Sequence, residues 1–212
     1  MLLSRVEELV NTATHGAGLV LSLAGAGVLV GCVLSAGDAW LMVGCSVYAA
    51  TLVAVYATST LSHGISNPRL RHFFRALDQS FIYLLIVSTF TPFALAYLSF
   101  DWCLWLLGLM WTIALVGFFS KILFAHRVNS VSVWIYLLLG WLPVVAIVPL
   151  MEVMPRSALR WLFVGGLCYT IGTAFLIFDR RVLHFHAVWH LFVVAGSTCH
   201  YIAVLFFVAL IG

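Results

Sequence analysis

The chain has 212 residues, of which 64% are hydrophobic and only 8% are charged. Soluble domains carry about 25% charged residues. Packing in water cannot hide this much apolar surface, so we expect an integral membrane protein. The net charge of +3 is too small to indicate a nucleic-acid partner, and the five cysteines form no CxxC pair that would suggest a disulfide framework.

Seven apolar stretches have the length of a membrane-spanning helix, about 20 residues each. In chain order they cover residues 14–34, 39–61, 77–98, 102–119, 131–150, 158–178 and 185–211. The connections are short, so consecutive helices should run antiparallel. The fold class expected is therefore an all-α membrane protein, with residues 1–212 forming a single domain that is a bundle of seven transmembrane helices.

The basic residues predict the orientation of this bundle. If the N-terminus is cytoplasmic, eight lysines and arginines fall on the inner side and only Arg156 and Arg160 fall outside. The inner set is Arg5, Arg69, Arg71, Arg75, Lys121, Arg127, Arg180 and Arg181. Because basic residues accumulate in cytoplasmic loops, we expect the N-terminus inside and the C-terminus outside.

Polar side chains gather at the inner ends of three predicted helices. The seventh span opens with "HFHAVWH", which puts His186 and His190 four residues apart on one helix face. The second span ends "YATSTLSHG", where Ser59 and His63 have the same spacing. The third begins "RALDQS", with Asp78 in its predicted first turn. Three segments thus bring these five residues to one depth.

A shared cation would explain why ionisable groups lie there, since a full charge at membrane depth costs about 3 kcal/mol or more. Three histidine nitrogens and one oxygen make a tetrahedral zinc site. Water would take the fourth position, with Asp78 holding it or ligating directly and Ser59 hydrogen-bonding to either. Hydrogen bonding between helices, water-facing helix ends and a haem held by two histidines remain alternatives on spacing alone.

The order of these motifs resembles the hemolysin III family of bacterial membrane proteins, which belongs with the adiponectin and progestin receptors (PAQR) and, more distantly, the alkaline ceramidases. The matching segments are "EELVNTATHGAG", "ATSTLSH", "RALDQSFIYLLIVSTFTPF" and "HAVWHLFVVAGSTCHY". The resemblance implies seven helices, a cytoplasmic N-terminus and one zinc ion near the cytoplasmic face of the bacterial inner membrane. It also implies that His63, His186 and His190 are the zinc ligands and that Ser59 and Asp78 belong to the same site.

The leading functional hypothesis is a zinc-dependent, ceramidase-like hydrolase of a lipid amide or ester, linked to membrane lipid homeostasis and fluidity. Asp78 would act as general base and Ser59 would orient the water or stabilise an oxyanion, while the lipid enters sideways between helices. The alternative is a non-enzymatic sensor of the membrane with a structural zinc. Direct ligation by Asp78 would favour the sensor and a water ligand would favour catalysis. A pore-forming cytolysin is disfavoured, because helices four to six carry no polar stripe.

Four further features carry expectations of their own. His200 lies ten residues past His190, about 15 Å deeper, and should hydrogen-bond to a neighbouring helix or line a pocket. Arg75 should pair with Asp78 or with a lipid phosphate. Glu8 and His15 either cap the entrance to the site or belong to an exposed amphipathic segment. The "GVLVG" stretch between Gly27 and Gly31 either lets another helix approach closely or reflects the abundance of glycine in membrane helices.

Overall fold

The computed structural model describes residues 5–98, 101–124, 133–179 and 181–211. Every regular element within these residues is helical, and seven stretches are long and apolar enough to cross a membrane, which confirms the predicted fold class. Arg127 and Arg180, two of the residues used to predict orientation, lie outside the described residues. The helices are α1 (Arg5–Ala36), α2 (Ala39–Gly64), α3 (Pro68–Tyr97), α4 (Asp101–Leu123), α5 (Val133–Trp141), α6 (Ile147–Val153), α7 (Arg156–Phe178) and α8 (Phe185–Val204).

The start of α3 differs from the prediction. Residues 68–76 were expected in a connection, but they form the first turns of the helix. The Asn67 side chain accepts hydrogen bonds from the backbone N–H groups of Arg69 and Leu70, and Pro68 occupies the first helical turn. Asp78 therefore lies ten residues past Pro68, in the third turn rather than the first. Hydropathy detects only the apolar part of a helix, whereas the Asn-Pro pair marks its true beginning.

The first helix is also longer than predicted. It begins at Arg5, nine residues before the predicted apolar span. Its buried residues Glu7, Asn11, His15, Gly18 and Ser22 follow one another at spacings of three and four, so they form one stripe along the helix. This polar stripe of α1 is thus packed into the bundle rather than exposed.

The fifth span is interrupted, whereas the prediction was one continuous helix over 131–150. A 3₁₀ helix, Leu142–Ala146, separates α5 from α6. Pro143 lies in this segment, and proline both lacks an N–H and clashes with the preceding helical turn. Residues 131 and 132 of the predicted span lie outside the described residues.

The third helix is the centre of the bundle. It packs against α2, α4, α5 and α8, while α1 packs on α2 and α8, and α7 packs on α8. Gly44 brings α2 close to α3, since a Cβ atom there would lie 3.1 Å from Pro92 Cα. The Thr51 and Ser88 hydroxyls join the same two helices by a 2.5 Å hydrogen bond, a kind of contact that helps helices associate in lipid.

The two glycines of "GVLVG" make no close approach within the described residues. No heavy atom lies within 4 Å of a Cβ built at Gly27 or Gly31. By contrast, a Cβ at Gly172 would lie 2.7 Å from Phe192 Cβ and 2.8 Å from Trp189 Cε3. Gly172 therefore allows a close contact between α7 and α8, which Gly27 and Gly31 do not provide for α1.

Alanine substitutions at these positions should have opposite effects on stability. Gly172→Ala forces α7 and α8 apart, and we expect it to cost roughly 1–3 kcal/mol. Gly27→Ala enters open space and improves helix propensity, so it should leave stability unchanged or slightly higher. Thermal unfolding of both variants in the same detergent measures the difference. Equal melting temperatures would contradict the close packing of α7 on α8.

Candidate metal centre

Three histidines from two helices converge at one end of the bundle. His63 lies in the last turn of α2, and His186 and His190 lie in the first two turns of α8. Each offers a ring nitrogen, and these atoms all lie within 4.8 Å of one another. The ring centroids are 5.1 Å apart for His63 with either partner and 4.6 Å apart for His186 and His190. The structure thus brings together the three residues that the sequence predicts as ligands.

Two of these imidazoles are held by carboxylates. Nδ1 of His63 lies 2.6 Å from Glu8 Oε2, and Nδ1 of His186 lies 2.8 Å from Asp179 Oδ2. An Nδ1–H that donates to a carboxylate leaves the Nε2 lone pair for a ligand, which is how metal-binding histidines are commonly oriented.

The donor set fits a divalent cation of the zinc type. Nitrogen ligands of one tetrahedral zinc lie about 3.4 Å apart. Atoms within 4.8 Å of one another reach that spacing by small side-chain rotations.

Glu8 also contacts two arginines of α3. Its Oε1 atom lies 3.5 Å from Arg71 Nη1 and 3.3 Å from Arg75 Nη2. Arg71 Nε donates a further 2.9 Å hydrogen bond to the Ile65 carbonyl just after α2. Arg75 was expected to pair with Asp78 or a lipid phosphate, and in the structure its ion pair is with Glu8.

His190 has a different neighbour. The His15 ring of α1 stacks on it with centroids 3.6 Å apart and an angle of 23° between the planes. Both rings are almost fully buried. In the described part of the chain, neither ring nitrogen of His15, neither polar side-chain atom of Asn11 and not Nδ1 of His190 makes a hydrogen bond.

The sequence alone did not identify the residues that contact the three imidazoles. It proposed no partner for His63 or His186, and it left Glu8 and His15 open between a cap over the entrance to the site and an exposed amphipathic segment. The signal that points to them is their spacing with Asn11, since positions 8, 11 and 15 share one face of a helix. Asp179 gave no such signal, because it lies in the short connection after α7.

A cavity of about 280 Å³ extends from the histidines into the bundle. Its polar end contains Ser59, Asp78, His186 and His190, and its remaining wall is mostly apolar, with residues from α3, α5, α6, α7 and α8. Asp78 is the one acidic residue among the described residues that line it. Asp78 is not part of the group of ligand atoms within 4.8 Å of one another.

His200 lies deeper in the same cavity. Its Nε2 atom is 3.1 Å from the Leu162 carbonyl of α7, which matches the expected hydrogen bond between helices. It lines the cavity as well, so both expectations for this residue hold. Gly165 makes room for it, because a Cβ there would lie 2.3 Å from the imidazole.

Fold and site together define a class: a multi-pass helical membrane protein with a histidine cluster at one end of the bundle and an apolar cavity beneath it. The family model described as "Haemolysin-III related" matches residues 3–201. The chain belongs to this family.

Its relatives include bacterial and human proteins. The chain is 38% identical to Hemolysin-3 of Bacillus cereus over 202 residues, which is 95% of this chain and 92% of that protein. It is 36% identical to the Hemolysin-3 homolog of Bacillus subtilis, over 95% of this chain and 94% of the relative. It is 26% identical to the human monocyte to macrophage differentiation factor, over 93% and 83% of the two chains.

The stack on His190 predicts a contrast between two substitutions of His15. His15→Ala removes a buried ring and leaves a cavity, which should cost about 2–4 kcal/mol of stability. His15→Phe keeps a ring in the stack and removes only nitrogens without partners, so it should cost much less. Thermal unfolding of the metal-free protein compares the two. A phenylalanine variant as unstable as the alanine variant would show that the nitrogens, and not the stack, matter.

Proposed function

We propose that this protein is a zinc-dependent intramembrane hydrolase that cleaves a lipid amide or ester. His63, His186 and His190 are the proposed ligands. The observation that carries the proposal is the cavity: His190 and His186, whose Nδ1 atom is held by Asp179, line an apolar chamber whose one acidic residue among the described lining residues is Asp78.

The chemistry divides among a few groups. A bound zinc ion supplies Lewis acidity, which polarises a carbonyl group and acidifies water. Asp78 accepts the proton of the attacking water and can return it to the leaving group. Ser59 donates a hydrogen bond from Oγ to the charge that develops on the carbonyl oxygen. Support for Ser59 comes from its burial and its position on the cavity wall.

The cavity favours a substrate with an acyl chain. Its wall is formed by apolar side chains of α3, α5, α7 and α8, among them Ile82, Leu85, Leu162 and Val193. Such a wall excludes water and binds hydrocarbon, so the scissile group is held at the polar end beside Asp78.

The lipid enters sideways from the membrane. Packing between α5 and α7 is light compared with the packing of α1, α2 and α3. The interrupted fifth span also contributes Gly140, Pro143 and Val144 to the cavity wall. The proposed route is therefore between this span and α7, where little helix packing must be broken.

The site is proposed to lie near the cytoplasmic face of the bacterial inner membrane. Arg71 and Arg75 contact the Glu8 carboxylate that holds His63, so basic residues cluster at this end of the bundle. Basic residues accumulate on the cytoplasmic side.

Zinc content tests the ligand assignment. The purified wild-type protein should contain one equivalent of zinc per chain, and His186→Ala or His190→Ala should lose it, because two nitrogen ligands bind far more weakly than three. His72→Ala is the matched control, since His72 is exposed on α3 and should keep the metal. Elemental analysis gives the stoichiometry. Undiminished zinc in both site variants would refute the proposed ligands.

Substitution of Asp78 separates catalysis from a structural metal. Asp78→Asn should retain zinc and lose at least about 100-fold in turnover, the usual contribution of a general base. Release of free fatty acid from labelled N-acyl and O-acyl lipids in proteoliposomes measures turnover. Loss of zinc on this substitution would make Asp78 a direct ligand and favour a non-enzymatic membrane sensor. Unchanged turnover would exclude Asp78 as the base.

A further inference from the structure

We infer that Glu8 is a positioning residue for the metal site: it fixes the proton and the ring orientation of His63, and Arg71 and Arg75 hold it in place. The inference rests on the proposed function, because it takes His63 as a metal ligand. It gives Glu8 a role more specific than the two that the sequence left open, a cap over the entrance to the site or a place in an exposed amphipathic segment.

The hydrogen bond between Glu8 and His63 is short and largely buried. Glu8 Oε2 lies 2.6 Å from His63 Nδ1, and the two side chains are 12% and 4% exposed. A hydrogen bond to a carboxylate in such surroundings is stronger than one between neutral groups. It keeps the proton on Nδ1, so the Nε2 lone pair points away from Glu8.

The second carboxylate oxygen explains why Glu8 itself stays in place. Oε1 faces the guanidinium groups of Arg71 and Arg75, which lie one helical turn apart on α3. Their charge compensates a carboxylate that would otherwise be costly to bury. Glu8 therefore joins three helices, with its backbone on α1, its first oxygen on α2 and its second on α3.

His63 needs such support more than a mid-helix residue does. It is the penultimate residue of α2, where a helix end frays most readily. Arg71 also binds the Ile65 carbonyl just beyond this end. The same arginine thus secures both the backbone after His63 and the carboxylate that orients its ring.

The other two imidazoles are supported differently. His186 bonds to Asp179, whose carboxylate has no arginine among the ion pairs of the described residues. His190 has the stacked His15 ring instead of a carboxylate. Among the described residues, only His63 has an arginine-supported carboxylate, so removing this carboxylate should affect one ligand and leave the geometry of the α8 pair intact.

Zinc affinity measured by chelator competition on the full-length protein in detergent tests this role. Glu8→Gln should weaken zinc binding about 10- to 100-fold, the usual effect of removing an outer partner of a ligand. Glu8→Asp keeps a carboxylate and should recover part of the loss. Glu152→Gln, at an exposed position of α6, is the matched control and should bind zinc as the wild type does.

A double substitution shows whether Glu8 acts through His63. Once His63→Ala has removed the ring, adding Glu8→Gln should cause no further loss of zinc affinity. Arg75→Gln, which leaves the Glu8–His63 bond in place, should weaken binding about two- to fivefold, since partly exposed ion pairs contribute little. If Glu8→Gln does not fold, the zinc affinity of this milder variant tests the inference instead.

The outcomes separate the inference from the function on which it rests. If Glu8→Gln lowers the melting temperature of the metal-free protein but binds zinc with wild-type affinity, Glu8 is structural only and the inference is wrong. A further loss in the His63→Ala background would also overturn it. If His63→Ala itself keeps wild-type affinity, the proposed metal site fails, whatever Glu8 does.

Discussion

The cost of placing polar side chains inside a lipid-facing bundle governs this structure. An ionisable group at membrane depth is costly without a partner, and the bundle supplies a hydrogen-bond partner for three of the histidines that lie at the site or in its cavity. His63 has Glu8, His186 has Asp179, and His200 has the Leu162 carbonyl. Because these partners come from α1, from the connection after α7 and from α7 itself, satisfying the histidines also determines which helices lie together at this end.

Some helices of the bundle pack closely against each other, whereas the fifth span borders the cavity. Small residues let α2 approach α3 at Gly44 and α7 approach α8 at Gly172. The fifth span cannot pack as closely, since its helix is broken around Pro143, and the cavity lies against this span. A rigid side therefore holds the histidines, and a loosely packed side provides the space for a ligand. This arrangement suits the proposed lipid hydrolysis, which would need a fixed reactive end and an entrance that admits an acyl chain.

The three imidazoles are held by different groups, because they lie in differently packed parts of the bundle. His63 sits at a helix end and is secured by a carboxylate with two arginines, whereas His190 sits inside the rigid side and is secured by a stacked ring. His186 lies between these cases, half-buried and bonded to Asp179. For the proposed metal site, imidazoles held in this way are preorganised, so little ordering would accompany the binding of a cation. The match to the haemolysin-III family model over residues 3–201 includes α1, which supplies two of these supports.

Local patterns in the sequence determined the seven spans, the pairing of His186 with His190 on one face, and the approach of Ser59, His63 and Asp78 to one depth. Hydropathy and helical periodicity are properties of neighbouring residues, so they can be read without a fold. They misplaced the start of α3 and missed the break in the fifth span, because capping and proline act on the backbone and not on hydropathy. Only the tertiary structure decided that Glu8 bonds to His63, that Arg75 pairs with Glu8 and that His15 stacks on His190. Those contacts join residues as many as 175 positions apart, and they depend on how the helices pack in three dimensions.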